Sequence, residues 1–254
     1  MDVRFVRVEL TEIQESMRQH LASLPRPIDS FLEDHIFEST PYRIEIMGAD
    51  AGFASIHRSS LITQFSLRES YKANGQEVFR RLRKLETVSA AFVPTCDEFF
   101  LAHALDDYRK LAKQAYFFTV GRDTGDVAKG YSLRLAGPAD LDLVEQQSEG
   151  FFQSAEQHIQ AGELFLTLRD EQCVGFGVMA RSRFLRDVAS IGMYTIEPFR
   201  GTGVGTATIR LLIAECRRRG LRAAAGCWYY NHLSKRTLEC AGMVTQTRLL
   251  KIEY

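Results

Sequence analysis

Apolar residues recur along this chain at two spacings, every second residue in short runs and every third or fourth residue in longer ones. The first spacing is typical of a half-buried β-strand and the second of an amphipathic helix. The first half shows strand patterns over residues 4–8, 42–47, 52–57 and 61–67, and helix patterns over 11–21 and 76–85. The second half shows strand patterns over residues 131–135, 163–169, 173–180 and 189–196, and helix patterns from Gly137 onward and over 204–219. The two halves therefore present strands and helices in the same order.

The halves also share a hairpin whose second strand contains Gly-Phe. These segments are Ala51-Gly52-Phe53-Ala54 and Val174-Gly175-Phe176-Gly177. Between the halves, residues 121–130 are rich in Gly and Asp and lack apolar periodicity, which is typical of a linker. We therefore predict a tandem duplication of an α/β unit, with domains over 1–122 and 131–254 and a linker over 123–130.

Composition narrows the class of protein. The 254 residues are 45% hydrophobic, and 32 Lys and Arg balance 32 Asp and Glu, so no net charge draws the chain to nucleic acid or to a membrane. The five cysteines form no CxxC pair and no Cys/His cluster at zinc spacing, which favours free thiols in a reducing compartment and no metal. The start of the chain has no signal-peptide pattern, and no apolar run has membrane-spanning length. We expect a cytoplasmic protein.

The candidate chemistry lies in the segment Arg200-Gly201-Thr202-Gly203-Val204-Gly205. Pro198 ends the strand before it, and helical apolar spacing resumes after it, so the glycines lie at a helix N-terminus, where free N–H groups favour an anion. A nucleotide P-loop would need a GK[ST] ending. A Rossmann fingerprint would need glycine in place of Thr206 and about 100 further residues, whereas 48 remain. A glycine turn without a ligand is the plain alternative; we predict a pyrophosphate-binding turn.

The segment from Ile196 to Gly205 resembles the coenzyme A motif of the GNAT superfamily of N-acetyltransferases. That motif has an aliphatic residue two places before a proline, then Arg/Gln-x-x-Gly-x-Gly/Ala. A second family motif, Asn-x-x-Ala followed by a helix and Gly-Phe, is matched by Asn231-His-Leu-Ser234 and Gly242-Met243. The resemblance implies two GNAT-like domains, each a mixed, mostly antiparallel twisted sheet flanked by helices (α/β, or α+β in some schemes). In the first of them, residues 67–75 lack the series of alternate glycines, so we expect no coenzyme A site there.

The resemblance also implies how the site binds acetyl-coenzyme A. Loop amides would hold the pyrophosphate, and the backbone of residues 194–196, at a bulge that splays this strand from the next, would pair with pantetheine. The N–H of Ile196 would polarise the thioester carbonyl. The expected cofactor-binding residues are Thr195, Ile196, Arg200, Gly201, Thr202, Gly203, Val204, Gly205, Thr206 and Asn231. Asn231 has a second role open to it, as the N-cap of the last helix.

The proton chemistry departs from the family pattern. Many members carry a tyrosine acid four residues before the Gly-Phe pair, and here that position is Leu238. The candidate catalytic substitutes are Tyr230, Tyr229 and Tyr194. Candidate bases are the carboxylates Glu145, Glu149, Glu156 and Glu163, of which Glu149 lies near the apolar pair Phe151-Phe152.

The expected function is an acetyl-coenzyme A-dependent N-acetyltransferase that moves an acetyl group to an amine of a small molecule or peptide by direct attack on the thioester. A non-catalytic acyl-coenzyme A sensor or scaffold is the alternative, because Leu238 stands at the position of the usual tyrosine acid. A longer acyl donor is a third option, because Gly192 and the small residues 223–226 would leave room for it. We expect a monomer with pseudo-dimeric tandem domains or a homodimer, without a nucleic-acid or membrane partner.

Overall fold

The computed structural model describes residues 1–121, 129–152 and 154–254. In the first half of the chain the elements are β1 Val3–Arg7, α1 Leu10–Ser23, α2 Ser30–Phe37, β2 Thr40–Ile46, β3 Ala49–His57, β4 Leu61–Leu67, α3 Gly75–Leu82, β5 Ala90–Pro94, α4 Glu98–Ala104 and β6 Lys110–Val120. In the second half they are β7 Tyr131–Leu135, α5 Leu141–Gln147, α6 Ala155–Gln160, β8 Leu164–Arg169, β9 Gln172–Arg181, β10 Val188–Thr195, α7 Val204–Arg218, β11 Arg222–Trp228, α8 His232–Cys240 and β12 Met243–Glu253.

The chain forms two compact units. The first comprises Met1–Phe117 together with Arg183–Leu185 and Thr247–Tyr254, and the second comprises Phe118–Ser182 and Arg186–Gln246. The domain ranges 1–122 and 131–254 stay a prediction. Most of the predicted linker lies outside the described residues, and its last two residues, 129 and 130, form a turn.

The first unit is built on a mixed sheet with strand order β1-β2-β3-β4-β5, followed by the last residues of β12. The pair β4–β5 is parallel, at Leu61 with Ala90 and Ile62 with Ala91, and the other pairs are antiparallel. Helices α3 and α4 pack on this sheet, where Phe79 and Phe100 join a buried apolar cluster. Helices α1 and α2 contact strands β2, β3 and β4.

The second unit has the strand order β7-β8-β9-β10-β11, in which the pair β10–β11 is parallel and the rest antiparallel. Side chains alternate between the two faces of a strand. On β9, Phe176 packs with Val144 of α5 and Ile159 of α6, while a Cβ at Gly177 would meet Leu212 of α7 at 3.0 Å. The sheet is therefore covered by α5 and α6 on one face and by α7 on the other.

The internal duplication also shows in the two Gly-Phe hairpins. Gly52 on β3 lies opposite Leu67 on β4, and Gly175 on β9 lies opposite Thr195 on β10. A Cβ at Gly52 would overlap the Ser66 carbonyl oxygen, and a Cβ at Gly175 would lie 2.7 Å from the Tyr194 carbonyl oxygen. Each glycine thus permits the same close approach to the strand that leads into a helix. The predicted fold class, a mixed and mostly antiparallel sheet flanked by helices in each half, is confirmed.

The helix pattern predicted from Gly137 onward is interrupted in the structure. A short 3-10 turn over Pro138–Asp140 leads into α5, and α6 follows as a separate helix. Glu149 and Gly150 between them have positive φ angles of 52° and 74°, which a right-handed helix cannot contain. The periodicity also missed α2, β5, α4 and β6, where short apolar runs do not separate strand from helix.

The five cysteines are free thiols. Within the described ranges, no group of three or more His, Cys, Asp and Glu side chains could hold a metal ion. No helix in the described part of the chain is long and apolar enough to span a membrane.

The close approach at Gly175 can be tested by Gly175→Ala. The added methyl would meet the Tyr194 carbonyl oxygen and, at 3.2 Å, a Val204 methyl, so the free energy of unfolding should fall by about 1–3 kcal/mol. Gly137→Ala is the matched control, because its nearest neighbour would be an Asp140 oxygen 3.9 Å away. We expect that control to stay within about 0.5 kcal/mol of the wild type in urea denaturation. Equal stability of the two variants would contradict this account of the duplicated hairpin.

Candidate functional site

A cleft opens in the second unit where two parallel strands part. The register between β10 and β11 runs from Val188 with Arg222 to Ser190 with Ala224 and ends there. Strand β10 stays paired with β9 as far as Thr195, and β11 continues to Trp228. The backbone of β10 beyond Ser190 therefore faces an opening on its β11 side.

The ladder between β9 and β10 determines which amides point into that opening. The N–H of Ile196 donates to the Val174 carbonyl at 3.2 Å, so this amide is directed toward β9. In an antiparallel pair, successive residues direct their N–H groups to opposite sides. The amides of Met193 and Thr195 therefore point toward β11. The Ile196 N–H, expected to polarise a thioester, is thus bonded to β9 and does not face the opening, whereas the neighbouring Thr195 N–H does; which amide contacts a thioester stays a prediction.

The expected bulge in this part of β10 is likewise not observed against β9. The pairing runs without a shift from Ala189 with Arg181 to Thr195 with Gly175. The strands part because the β10–β11 register ends, while the β9–β10 ladder stays regular.

The glycine loop lies at the start of α7, as predicted. Gly201 and Gly203 have φ angles of 79° and 91°, a region that favours glycine, and a Cβ at either position would meet nothing within 4 Å. The first backbone bond of the helix runs from the Ala207 N–H to the Gly203 carbonyl at 3.0 Å. The N–H groups of residues 203–206 precede that bond and have no intrahelical acceptor. With no acidic residue in the first turn of α7, these amides suit an anion.

Gly205 has a different role from the two glycines before it. A Cβ there would lie 3.1 Å from the Met193 sulfur, 3.1 Å from a Thr237 methyl and 3.3 Å from the Thr195 hydroxyl. Gly205 therefore lets the first turn of α7 pack directly on β10. This contact also shows that Met193 and Thr195 face α7, so Tyr194 faces the α5–α6 side.

Tyr194, Arg200 and Glu149 form a hydrogen-bonded cluster. The Arg200 guanidinium donates to the Tyr194 hydroxyl and to a Glu149 carboxylate oxygen, both at 2.9 Å, and lies 5.5 Å from the centre of the Tyr194 ring. Arg200 is therefore ion-paired rather than a free cation at the rim of the loop. Glu149 was noted from the sequence for its position before two phenylalanines; its pairing with Arg200, 51 residues away, left no sequence signal.

The charges in this cluster shift one another's pKa values. Desolvation first, and the neighbouring Glu149 second, raise the pKa of Tyr194, so this phenol holds its proton more firmly than a free tyrosine. The hydrogen bond from Arg200 lowers the pKa of Glu149. The arrangement places a neutral proton donor beside an ionised carboxylate.

The other two candidate tyrosines lie at the end of β11. The rings of Tyr229 and Tyr230 are 5.2 Å apart, and Tyr230 also packs edge-on to Trp228 at 5.0 Å. Tyr230 is 53% exposed. The Tyr194 ring instead contacts Phe151 and Phe176.

The residues in and near the second family motif make structural contacts. The Asn231 side chain caps α8 by accepting a hydrogen bond from the Ser234 N–H at 3.0 Å. Leu238, in place of the usual tyrosine, is 3% exposed and has no acidic proton. Among the other candidate bases, Glu163 pairs with His158 at 2.9 Å and Glu156 accepts from Gln160 at 3.1 Å.

The first unit has the same strand frame but a different helix start. The parallel register of β4 with β5 also ends early, after Ile62 with Ala91. There α3 is preceded by a 3-10 turn over Glu69–Asn74, and its own first turn contains Glu77. A Cβ at Gly75 would overlap the His103 ring, so this glycine serves packing. Carboxylates at a helix N-terminus compete with an anionic ligand.

Comparisons with known proteins agree with this geometry. Residues 9–120 match the family described as acetyltransferase (GNAT) domain, and residues 133–243 match the acetyltransferase (GNAT) family. The matches support acyltransferase activity in general, and the family uses acetyl-coenzyme A. The chain belongs to the GNAT superfamily and carries two GNAT domains in tandem, as predicted.

Solved structures share the fold at low identity. An acetyltransferase from the GNAT family from Colwellia psychrerythraea is 16% identical, with a TM-score of 0.88 and 100% of both chains covered. A GCN5-related N-acetyltransferase from Sphaerobacter thermophilus is 13% identical, with a TM-score of 0.62 and coverage of 99% and 95%. A tandem GNAT protein from the clavulanic acid biosynthesis pathway is 12% identical, with a TM-score of 0.59 and coverage of 100% and 98%. No curated protein sequence matches the chain.

The Tyr194 cluster predicts a measurable titration shift. Glu149→Gln removes a negative charge that opposes phenolate formation, so the pKa of Tyr194 should fall. The titration can be followed by NMR of carbon-13-labelled tyrosine. Glu145→Gln is the matched control, because Glu145 does not contribute to the shift of Tyr194, and it should leave the titration unchanged. A Tyr194 pKa that rises or stays constant in Glu149→Gln would show that the two groups do not interact in solution.

Proposed function

We propose that the second unit is an acetyl-coenzyme A-dependent N-acetyltransferase that acts by direct attack of an amine on the thioester. One observation carries the proposal. The N–H groups of residues 203–206, at the start of α7, have no intrahelical acceptor and lie at the mouth of the cleft between β10 and β11. Gly203, the first of these residues, has a positive φ angle.

The described residues fit coenzyme A. The amides of Gly203, Val204, Gly205 and Thr206 would hold the pyrophosphate, with Gly201 and Thr202 shaping the turn before them. The free edge of β10 beyond Ser190 would pair with the amide groups of pantetheine. Asn231, at the start of α8, stays a candidate contact in addition to its role as a cap. When bound, the cofactor supplies an activated acetyl group as a thioester.

The Thr195 amide is the proposed donor to the reacting carbonyl. It points toward β11 because the adjacent Ile196 amide is committed to Val174. An amide held in a strand cannot reorient, so it stabilises negative charge on a carbonyl oxygen without a reorganisation cost. Met193, two residues earlier, directs a second amide to the same side.

Tyr194 is the proposed proton donor to the leaving thiolate. Its hydroxyl lies on the opposite face of β10 from Thr195, beside Glu149 and Arg200, and its raised pKa means that it is protonated at neutral pH. Glu149 is ionised and adjacent, so it is the proposed acceptor of the amine's proton. The apolar ring of Phe151, 5.3 Å from the Tyr194 ring, would line the approach of the acceptor.

The acceptor is proposed as an amine of a small molecule or peptide. A non-catalytic acyl-coenzyme A sensor is the second candidate, favoured by one observation: the usual acid position is the buried Leu238. The two differ in turnover, because a sensor binds coenzyme A but releases no thiol when amines are added.

Gly203→Val tests the binding site. Valine is strained at a φ of 91°, and its side chain would crowd the anion-binding amides, so coenzyme A binding should be lost in isothermal titration calorimetry. Gly48→Val is the matched control, with a φ of 80° in a hairpin of the first unit and open space around the Cβ position. It should bind a single coenzyme A per chain, like the wild type. Retained binding in Gly203→Val would overturn the assignment of the loop.

Tyr194→Phe tests the proton donor. Removing the hydroxyl should lower kcat about 100-fold with KM for acetyl-coenzyme A unchanged, the range expected for loss of a general acid. The measurement is thiol release from acetyl-coenzyme A with a panel of amines. Tyr230→Phe is the comparison and should keep kcat near the wild-type value. A loss of kcat in Tyr230→Phe, with Tyr194→Phe near the wild-type value, would make Tyr230 the proton donor. If the wild type releases no thiol with any amine, the result favours the non-catalytic sensor.

A further inference from the structure

The first unit contains a pocket of about 540 Å³ that the acyl-transfer chemistry of the second unit does not use. It lies where β4 parts from β5, between the end of β4 at Leu67 and the segment Cys96–Asp97 that follows β5, with α1 along one side. Small-molecule sites generally have volumes of about 300–1,000 Å³. The pocket is therefore large enough for a metabolite-sized ligand.

His20 and Asp97 form a hydrogen-bonded pair on the pocket wall. The His20 Nε2 lies 2.8 Å from an Asp97 carboxylate oxygen, and the side chains are 14% and 5% exposed. The other Asp97 oxygen accepts from the Phe100 N–H at 3.1 Å as the N-cap of α4. Both carboxylate oxygens are thus occupied, and the carboxylate is fixed by the helix start.

This pairing fixes the tautomer of the neutral imidazole. A carboxylate can only accept, so Nε2 carries the proton and donates it to Asp97. The other ring nitrogen, Nδ1, then bears a lone pair. The His20 ring stands edge-on to Phe53, 5.9 Å between centres, which holds its plane. In its neutral form His20, which lines the pocket, therefore carries a hydrogen-bond acceptor at Nδ1.

The remaining charges of the pocket favour a cationic ligand. Among its described lining residues, five carboxylates outnumber three cations. Each cation already has a carboxylate partner: Arg68 pairs with Asp50, Lys72 with Glu69 at 2.7 Å and Arg43 with Glu12 at 3.7 Å. Asp97, which pairs with His20, and the exposed Glu98 are the carboxylates left over.

Apolar surface completes the site. Phe53 and Phe99 line the pocket together with Ile13 of α1 and Leu67 of β4. A site that combines an apolar wall, a fixed acceptor and excess negative charge is suited to an organic ammonium ion.

We propose that this pocket binds a small organic amine in its protonated form, with the ammonium group donating to His20 Nδ1 near Glu98 and the apolar part of the ligand against Phe53 and Phe99. Asp97 acts as a positioning residue, since its two carboxylate oxygens are already engaged by His20 and by the Phe100 N–H. This second site requires neither coenzyme A nor turnover, so it stands apart from the proposed acetyltransferase activity.

The test uses the full chain without coenzyme A and the probes 2-phenylethylamine, putrescine and the matched anion 3-phenylpropionate. Ligand-detected NMR should show binding of the amines and none of the carboxylate. In Asp97→Asn the amide can donate to Nε2, which moves the imidazole proton to Nδ1 and turns the acceptor into a donor. Amine affinity should then fall about tenfold, and the nitrogen-15 shifts of His20 should report the changed tautomer.

Asp29→Asn is the matched control. Asp29 is also 5% exposed and N-caps a helix through the Leu32 N–H at 3.1 Å, but it lies outside the pocket lining. Asparagine caps as well as aspartate, so both variants should fold and only Asp97→Asn should lose amine binding. Glu98→Gln, at an exposed position, should also weaken the amines. Equal loss in Asp29→Asn, preference for the carboxylate, no amine binding, or loss of the amines in Gly203→Val would each overturn the proposal.

Discussion

The early end of the hydrogen-bonded register between β10 and β11 is the constraint on which the site depends. Two parallel strands that part after Ser190 leave one edge of β10 open while β9 keeps its other edge in a regular ladder. The ladder then fixes the direction of every amide on the open edge, because directions alternate along the strand. Thr195 faces the cleft and Ile196 does not, for this reason alone. The same alternation separates the two chemistries, with Met193 and Thr195 on the α7 side and Tyr194 on the side of α5 and α6.

The first unit shares the arrangement of strands with the second unit but differs from it in the residues at the start of the following helix. Its strands β4 and β5 part in the same way, and Gly52 repeats the close approach of Gly175. The helix that follows differs, since Glu77 occupies its first turn and His103 fills the space beside Gly75. The opening between the strands is thus a property of the fold. Its proposed affinity for an anion depends on the residues at one helix start.

Sequence patterns could predict part of the order of elements and the position of the glycine loop, because these depend on local spacing and on Pro198 and Gly203 within a short stretch. They could not predict the direction of the Ile196 amide, since a shift of one residue reverses it and periodicity carries no such information about the backbone. The pairing of Arg200 with Glu149 was also beyond reach, because it joins residues far apart in the chain. The same holds for His20 and Asp97, which are 77 residues apart in the chain and meet on the wall of one pocket.

The pairs Arg200–Glu149 and His20–Asp97 orient groups of opposite hydrogen-bonding character. Arg200 is held by Glu149 and the Tyr194 hydroxyl at the end of β10, where the Tyr194 phenol is the proposed proton donor. His20 is held by a nearly buried Asp97, and because the carboxylate accepts from Nε2, the lone pair of a neutral imidazole lies on Nδ1. The two proposals therefore assign a donor to the cleft of the second unit and an acceptor to that of the first. The two units differ in the charge of the orienting group, which is the cation Arg200 beside Tyr194 in the second unit and the carboxylate Asp97 beside His20 in the first.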